Sequence, residues 1–231
     1  ERAGVALSEI DTLIHGTTLA TNALIERRGA RTALITTKGF RDVIEMRTEN
    51  RFEQYDLDIV LPAPLVPRDE RFVLDERIDA HGEILKEIDD NELDALVDRI
   101  IEAGFESIAI GLIHSYVNGA HERRVRDALL ARKPDLFVSI SCEVSPQMRE
   151  FQRFNTVCAN AYVKPLMASY LRRLTDSLKE AGTTCPVFMI HSGGGIISVE
   201  SAIEFPVRLL ESGPAGGAIF AAHIAKQHGI E

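Results

Sequence analysis

His15–Gly39, HGTTLATNALIERRGARTALITTKG, contains the change of hydrophobic period that decides the fold. Just ahead of it and at its start, Ile10, Leu13 and Ile14 make a short apolar run that reads as a strand. At the strand's end His15-Gly16-Thr17-Thr18 collects an imidazole, two hydroxyls and a glycine where backbone can approach a ligand. Leu19, Ala23 and Leu24 then recur at helical spacing, Thr17 or Thr18 stands where an N-cap is needed, and Gly29 stands where the helix should close. Thr32–Thr36 resumes as a strand. Chemistry in such a unit belongs at its strand-to-helix turn.

Outward from that unit the same alternation continues. Phe40–Glu45 reads as a short helix, Arg47–Asp58 as a charged loop, and Pro62, Pro64 and Pro67 as an extended connector without backbone donors. Phe72-Val73-Leu74 and Ile84-Leu85 flank Asp79-Ala80-His81-Gly82, which predicts a β-hairpin capping or edging the main sheet. From Asp89, Leu93, Leu96, Val97, Ile100 and Ile101 share one helical face, with acidic residues in the first turn and Gly104 as the stop. Ile108–Ile113 is continuously apolar, as a strand buried on both faces should be. A helix over Ala120–Lys133 and a strand over Phe137–Ile140 follow, and the alternation implies a largely parallel or mixed sheet.

The remaining third is predicted as follows. Pro146–Gly182 is mostly helical, bridges two halves, and carries a Pro165 that starts or kinks a helix. Val187–Ile190 is a strand running into His191-Ser192-Gly193-Gly194-Gly195, Val199–Glu204 a short helix, and Val207–Leu210 a returning strand. Glu211–Gly217 is a glycine-rich turn opening an apolar helix, so its backbone N–H groups face an anion at the positive helix end. It is neither a Walker loop nor G-x-G-x-x-G.

Composition narrows the function classes. The 231 residues are 45% apolar, enough for one large domain or two small ones. A net charge of −9, from 35 acidic against 26 basic residues without a basic stripe, argues against nucleic acid. No apolar run approaches the ~18–20 residues of a membrane helix. Cys142, Cys158 and Cys185 are too scattered for a zinc or C-x-x-C pattern, which fits reduced thiols in a cytoplasmic protein. His15, His114 and His191 each sit where a strand should end, but none has a second ligand at metal spacing, so no metal ligand is assigned. Around His15, the residues Thr17, Thr18, Thr21 and Asn22 can share one pocket, a helix-capping loop being the competing reading. Glu45, Arg47, Glu49 and Arg51 can orient a polar substrate or simply be solvated.

The run from His15 to Ala30, Thr37-Lys-Gly-Phe-Arg-Asp-Val, Pro62 to Arg68, Val144-Ser-Pro-Gln-Met-Arg-Glu, Asn160-Ala-Tyr-Val-Lys-Pro and Glu211 to Gly217 together resemble the hydantoinase A/5-oxoprolinase family nearly end to end. The resemblance implies an α/β fold of the actin/sugar-kinase/Hsp70-like (ribonuclease H-like) class, a mixed sheet with flanking helices, incomplete in this chain. Residues 1–145 would be the α/β region of the N-terminal half and 146–231 the bridging helices and the start of the second half. It implies ATP-driven opening of a hydantoin or 5-oxoproline-type ring, with Mg2+ offsetting charge while the ring carbonyl oxygen accepts the γ-phosphoryl group and the activated carbon is then attacked. Some members are ATP-dependent carboxylase subunits of the acetone or acetophenone type; a non-catalytic assembly module is the third reading. The implied partners are a small cyclic amide and a second, hydantoinase B-type subunit.

Carried over residue by residue, the resemblance makes His15, Thr17 and Thr18 catalytic and Thr21, Asn22, Glu45 and Arg47 substrate-binding. Ser212, Gly213, Gly216 and Gly217 become nucleotide-binding. Phe154-Asn155 and His191 depart from the family pattern and receive no role. Neither of the family's two Asp-x-Gly-Gly-Thr phosphate loops occurs here. The expectation is a middle piece of a longer polypeptide that folds but neither binds ATP tightly nor turns over.

Overall fold

A computed structural model describes residues 9–48, 53 and 55–229. Glu49 and Arg51 of the charged loop lie outside the described residues.

β1 (Leu13–His15), α1 (Leu19–Ile25) and β2 (Thr32–Thr37) open the chain in the predicted order. Gly29 does not close α1. Arg27 takes the left-handed conformation (φ 56°), its N–H donates to the Leu24 carbonyl at 3.4 Å and that of Arg28 to Ala23 at 2.9 Å. This is a Schellman closure, satisfied two residues before the glycine is reached. Next come α2 (Val43–Met46), β3 (Arg71–Leu74), β4 (Arg77–Ile78) and β5 (Ile84–Lys86). The predicted hairpin turn is present, but its first arm is Arg77–Ile78, and Phe72–Leu74 belong to β3, which pairs in parallel with β2. Asp79 explains the short arm: its Oδ1 accepts the His81 and Glu83 N–H groups, each at 2.9 Å, and pins the turn directly after Ile78.

α3 (Asp90–Glu102), β6 (Ser107–Gly111), α4 (Ala120–Arg132), β7 (Phe137–Ile140) and α5 (Ser141–Val144) follow. The 31-residue α6 (Glu150–Glu180) then carries Pro165 in its interior, where the missing N–H frees one carbonyl of the helix ladder. β8 (Val187–Ile190), β9 (Ile196–Ser198), α7 (Val199–Glu204) and α8 (Ser212–Gln227) complete the chain. Val207–Leu210 is not a strand, because Pro206 opens a 3-10 turn over Pro206–Leu209. A four-residue apolar run has no period with which to separate the two.

Backbone contacts group the chain into two compact units, Ala30–Tyr162 and the paired segments Glu1–Gly29 with Val163–Glu231. The first segment joins the last because β1 and β8 are parallel neighbours, Leu13 opposite Val187 and His15 opposite Met189. A cut in chain order at 145/146 does not reproduce that pairing. The unit of discontinuous segments is built on the sheet β1-β8-β9, with β8 and β9 antiparallel.

The Ala30–Tyr162 unit is built on the parallel sheet β3-β2-β6-β7. Every residue of β2 and β6 is buried. α3 lays Leu93, Leu96, Val97 and Ile100 on that sheet's core, capped at its start by the Asp89 side chain on the Glu92 N–H (3.0 Å) and followed by Gly104 at φ 69°. Gly111 ends β6 under the buried ring of Phe154, where an added Cβ would lie 2.6 Å from Cδ1. Gly111→Ala is therefore expected to cost about 1–3 kcal/mol of unfolding free energy in urea titrations, since the enclosed ring has nowhere to move.

One buried polar cluster in this unit holds a titratable imidazole. His121 donates to or accepts from Glu76 (Nδ1 to Oε2, 2.7 Å) and Glu87 (3.4 Å), and Glu76 also accepts the Thr37 hydroxyl. Burial works to lower the imidazole pKa, but the hydrogen bonds and charges of Glu76 and Glu87 together raise it above 6.5. The imidazolium thus stabilises the fold fully below about pH 6.5, and that contribution is lost as pH rises through the raised folded value. The expected result is a urea midpoint that falls from pH 6.5 into the mildly alkaline range, and a flat one for Glu76→Gln. A wild-type midpoint that rises over this interval would contradict the assignment.

Candidate active site

The turn between β1 and α1 is built as the sequence implies, with a different division of labour. Thr18 occupies the N-cap position, but its hydroxyl makes no cap; Thr17 Oγ1 instead accepts the Leu19 N–H at 3.2 Å. Thr18 Oγ1 accepts from Asn22 Nδ2 at 3.4 Å. His15, the last residue of β1, is half-buried, and its Nε2 lies 2.7 Å from the Tyr170 hydroxyl of α6. Burial lowers the His15 pKa, so the ring is neutral near pH 7. Its Nδ1 makes no hydrogen bond among the described residues, and a neutral imidazole can offer that atom to a ligand.

The C-terminal candidates come to the same turn. Ser212 Oγ donates to the Thr17 carbonyl at 3.1 Å across 195 residues of sequence, and Thr21 Oγ1 accepts the Glu211 N–H at 3.4 Å. A Cβ on Gly213 would lie 3.4 Å from Thr18 Cγ2, so backbone and side chain are already at contact distance. The predicted glycine-rich turn over Glu211–Gly217 is, however, helix from Ser212 onward. Pro214 explains the difference: it sits in the first turn, where its missing N–H is no loss and its fixed φ favours the helix, after a left-handed Glu211 (φ 61°). Ser212 and Gly213 keep backbone N–H groups without an intrahelical acceptor, aimed from the positive end of a 16-residue helix. Gly216 and Gly217 lie beyond that first turn; Gly216 instead lets α8 approach Ile190, whose Cδ1 would meet its Cβ at 3.3 Å.

The other candidates are placed elsewhere. Glu45 and Arg47 belong to the Ala30–Tyr162 unit. Glu45 pairs with the buried guanidinium of Arg71 (2.8 Å), and Arg47 donates to the Pro62 carbonyl while lining an open hollow of about 400 Å3 with Phe40, Val43 and Phe151. His114 bonds the Ile78 carbonyl (2.8 Å), and His191 Nδ1 accepts the Gly193 N–H (3.0 Å), its ring lying over Gly193 and Gly195 where no Cβ fits. Among the described residues no group of three or more His, Cys, Asp or Glu is placed to hold a metal, and no helix is long and apolar enough to cross a membrane.

Tyr170 was not singled out as a site residue by the sequence. It falls on the helical stripe of Tyr162 and Leu166 and passes for core; the usable signal was that a half-buried tyrosine hydroxyl needs a partner. The arrangement offers a neutral imidazole, three threonine hydroxyls and a serine beside two helix-end N–H groups. Its donors fit the oxygens of a phosphate or a carbonyl.

Residues 1–133 match the hydantoinase/oxoprolinase N-terminal region and residues 153–231 the hydantoinase/oxoprolinase family. An uncharacterized protein of Methanocaldococcus jannaschii is 38% identical over 229 residues, 98% of this chain and 34% of its own length. Caprolactamase subunit alpha of Pseudomonas jessenii is 33% identical over 97% of this chain and 33% of its own length. The crystal structure of ATP-dependent caprolactamase from the same organism superposes with a TM-score of 0.89 at 32% identity, over all of this chain and 34% of that one. Nucleotide-free acetone carboxylase superposes with a TM-score of 0.86 at 29% identity, over 97% of this chain and 33% of that one. The chain thus spans about a third of the length of the first curated relatives it matches. The α/β arrangement is that of these structures, the actin-like class expected from the resemblance.

Proposed function

The chain belongs to the hydantoinase/oxoprolinase family, and we propose that in the whole protein it forms part of an ATP-dependent enzyme that opens a hydantoin or 5-oxoproline-type ring. The observation that carries this reading is the meeting of Thr17, Thr18 and Thr21, just after His15 in the chain, with Glu211, Ser212 and Gly213 in one unit. ATP with Mg2+ would supply the phosphoryl group that makes the ring carbonyl oxygen a leaving group. The chain's own residues then have separable tasks. The Ser212 and Gly213 N–H groups hold phosphate oxygens, Thr17, Thr18 and Asn22 orient the ring, and the free Nδ1 of His15 faces its polar atoms. Glu45 and Arg47 are proposed as further substrate-binding residues. A second subunit of the hydantoinase B type is the proposed partner, in line with the subunit designation of the caprolactamase relative.

The test is ATP hydrolysis by the whole protein against a panel of hydantoins and lactams. Stimulation by one ring class is expected; indifference to all of them would count decisively against the reading. The likeness to acetone carboxylase supports a second reading, a carboxylase subunit. Bicarbonate-dependent ATP consumption with a ketone would establish that one instead. The 231-residue chain by itself is expected not to bind Mg-ATP tightly, which calorimetric titration checks.

A further inference from the structure

The hairpin β4–β5 has little of its own to hold it. Its arms are two and three residues long, and a two-stranded ribbon of that size is marginal at best. The β4 arm is docked: Ile78 is fully buried, its carbonyl accepts from His114 Nδ1 at 2.8 Å, and Asn118 Nδ2 donates to the Gly82 carbonyl in the turn at 2.9 Å. The β5 arm, Ile84–Lys86, is exposed along its whole length. Beyond the ladder to β4, its polar ties among the described residues are Lys86 to Asp75 (2.8 Å) and, just past its end, Glu87 to His121 (3.4 Å) with Arg124 at 4.0 Å.

His121 meets this hairpin at both ends. Glu76 stands directly before β4 and Glu87 directly after β5, and the imidazole bonds the first through Nδ1 at 2.7 Å and the second through Nε2. The Glu76 side chain is fully buried, whereas that of Glu87 is 70% exposed. An ionised carboxylate can only accept, so an imidazole that holds both must carry both protons. With one proton it donates to one carboxylate, and its bare nitrogen faces the lone pairs of the other. The buried carboxylate has no water to turn to and keeps the donor; the exposed one is hydrated at little cost. The remaining charges nearby are committed elsewhere. Arg124, on α4 with His121, donates to the Ile88 carbonyl at 3.0 Å and to Asp90, which fixes the chain just past Glu87. Glu122 is turned to the N–H groups of Leu112 and Cys142, and Asp75 is engaged by Lys38 and Lys86.

We propose that β4–β5 is a proton-operated flap: the His121 imidazolium closes it at both ends, and loss of the Nε2 proton to solvent frees the β5 arm, hinged at Ile88, while Glu76 keeps the β4 end in place. Burial works against the imidazolium, but the hydrogen bonds and charges of Glu76 and Glu87 raise its pKa above 6.5. The clasp is therefore complete below about pH 6.5 and is lost as pH rises through the raised value. This opening is local, around a unit that stays folded.

The test is hydrogen exchange of the full chain from about pH 6 to about pH 9, read by mass spectrometry as protection relative to the intrinsic rate at each pH. Peptides covering residues 84–88 report the arm and peptides covering residues 107–111 the buried β6. Protection of the arm is expected to fall about threefold to tenfold as pH rises, the worth of one exposed charged hydrogen bond, with a smaller change in β6. Glu87→Ala removes the outer end of the clasp, so the arm should show the low alkaline protection at every pH. The amide of Glu87→Gln can accept from a protonated Nε2 and donate to a bare one, so the arm should stay protected without a pH step. A flat wild-type arm, a fall equal to that of β6, or a pH step that survives in either variant would overturn the proposal. Ring nitrogen shifts supply an independent check. The neutral His121 ring must keep its proton on Nδ1, and an Nε2–H tautomer at alkaline pH would overturn the flap as well.

Discussion

Replacing Arg153 with methionine is expected to lower the unfolding free energy of this chain by about 3–5 kcal/mol, the cost of leaving a buried charge without its partner. Arg153 is fully buried at the start of α6. Its Nε donates to Ser141 Oγ (3.1 Å), Nη1 to the Gln147 carbonyl (3.1 Å) and Nη2 to the Leu112 carbonyl (2.7 Å). Ser141 in turn donates to Glu122 at 2.6 Å, and this carboxylate, also fully buried, accepts the N–H groups of Leu112 and Cys142 at 2.8 Å each. One charged chain of bonds thus ties the ends of β6 and β7 to α4 and α6. Methionine fills much of the volume but orphans the Leu112 and Gln147 carbonyls, breaks the ion pair with Glu150 (3.5 Å) and removes the cation that Ser141 links to Glu122. Lysine keeps the charge and loses the fork, so Arg153→Lys should fall between wild type and Arg153→Met. Urea titration of these variants and of Glu122→Gln with Arg153→Met is the measurement, with a less than additive loss in the double variant. A loss below about 1 kcal/mol for Arg153→Met would mean the network does not hold these elements together.

That network also shows where sequence reading stops. α3 was legible because its signals agree: an Asp89 cap, an acidic first turn, apolar residues on one face and Gly104 beyond the end. Arg153, His121 and Glu122 give no such agreement. Charged residues near helix starts read as solvated, and only the backbone groups left free at the strand ends draw them inside. The candidate site was legible in parts and not as a whole. Both the turn at His15 and the segment at Ser212 stand out by composition, but their meeting depends on the parallel pairing of β1 with β8, a contact that no local period encodes. Local residue choice also misled at Glu211–Gly217, where glycines suggested a turn although Pro214 and the following alanines favour a helix start.

His15→Ala in the whole protein is expected to lower kcat for ring-dependent ATP hydrolysis by about 10²–10⁴-fold, the usual contribution of a positioned acid–base group. The Tyr170 hydroxyl, 2.7 Å from His15 Nε2, sets up this role. With Nε2 engaged by that hydroxyl, the imidazole is fixed in orientation and its Nδ1 is the atom left for substrate. Tyr170→Phe removes the support and leaves the ring in place, so a smaller loss in kcat is expected, about fivefold to tenfold, the worth of one hydrogen bond. The pH profile separates chemistry from mere packing. Burial lowers the His15 pKa below 6.5, so the neutral form predominates at pH 7 and the rate should fall as pH drops through the lowered value. His15→Ala should erase that acidic limb, whereas a structural role would shift KM or stability and leave the limb intact. Unchanged turnover in His15→Ala would take the imidazole out of the mechanism and leave Thr17, Thr18 and the α8 N–H groups as the site's working parts.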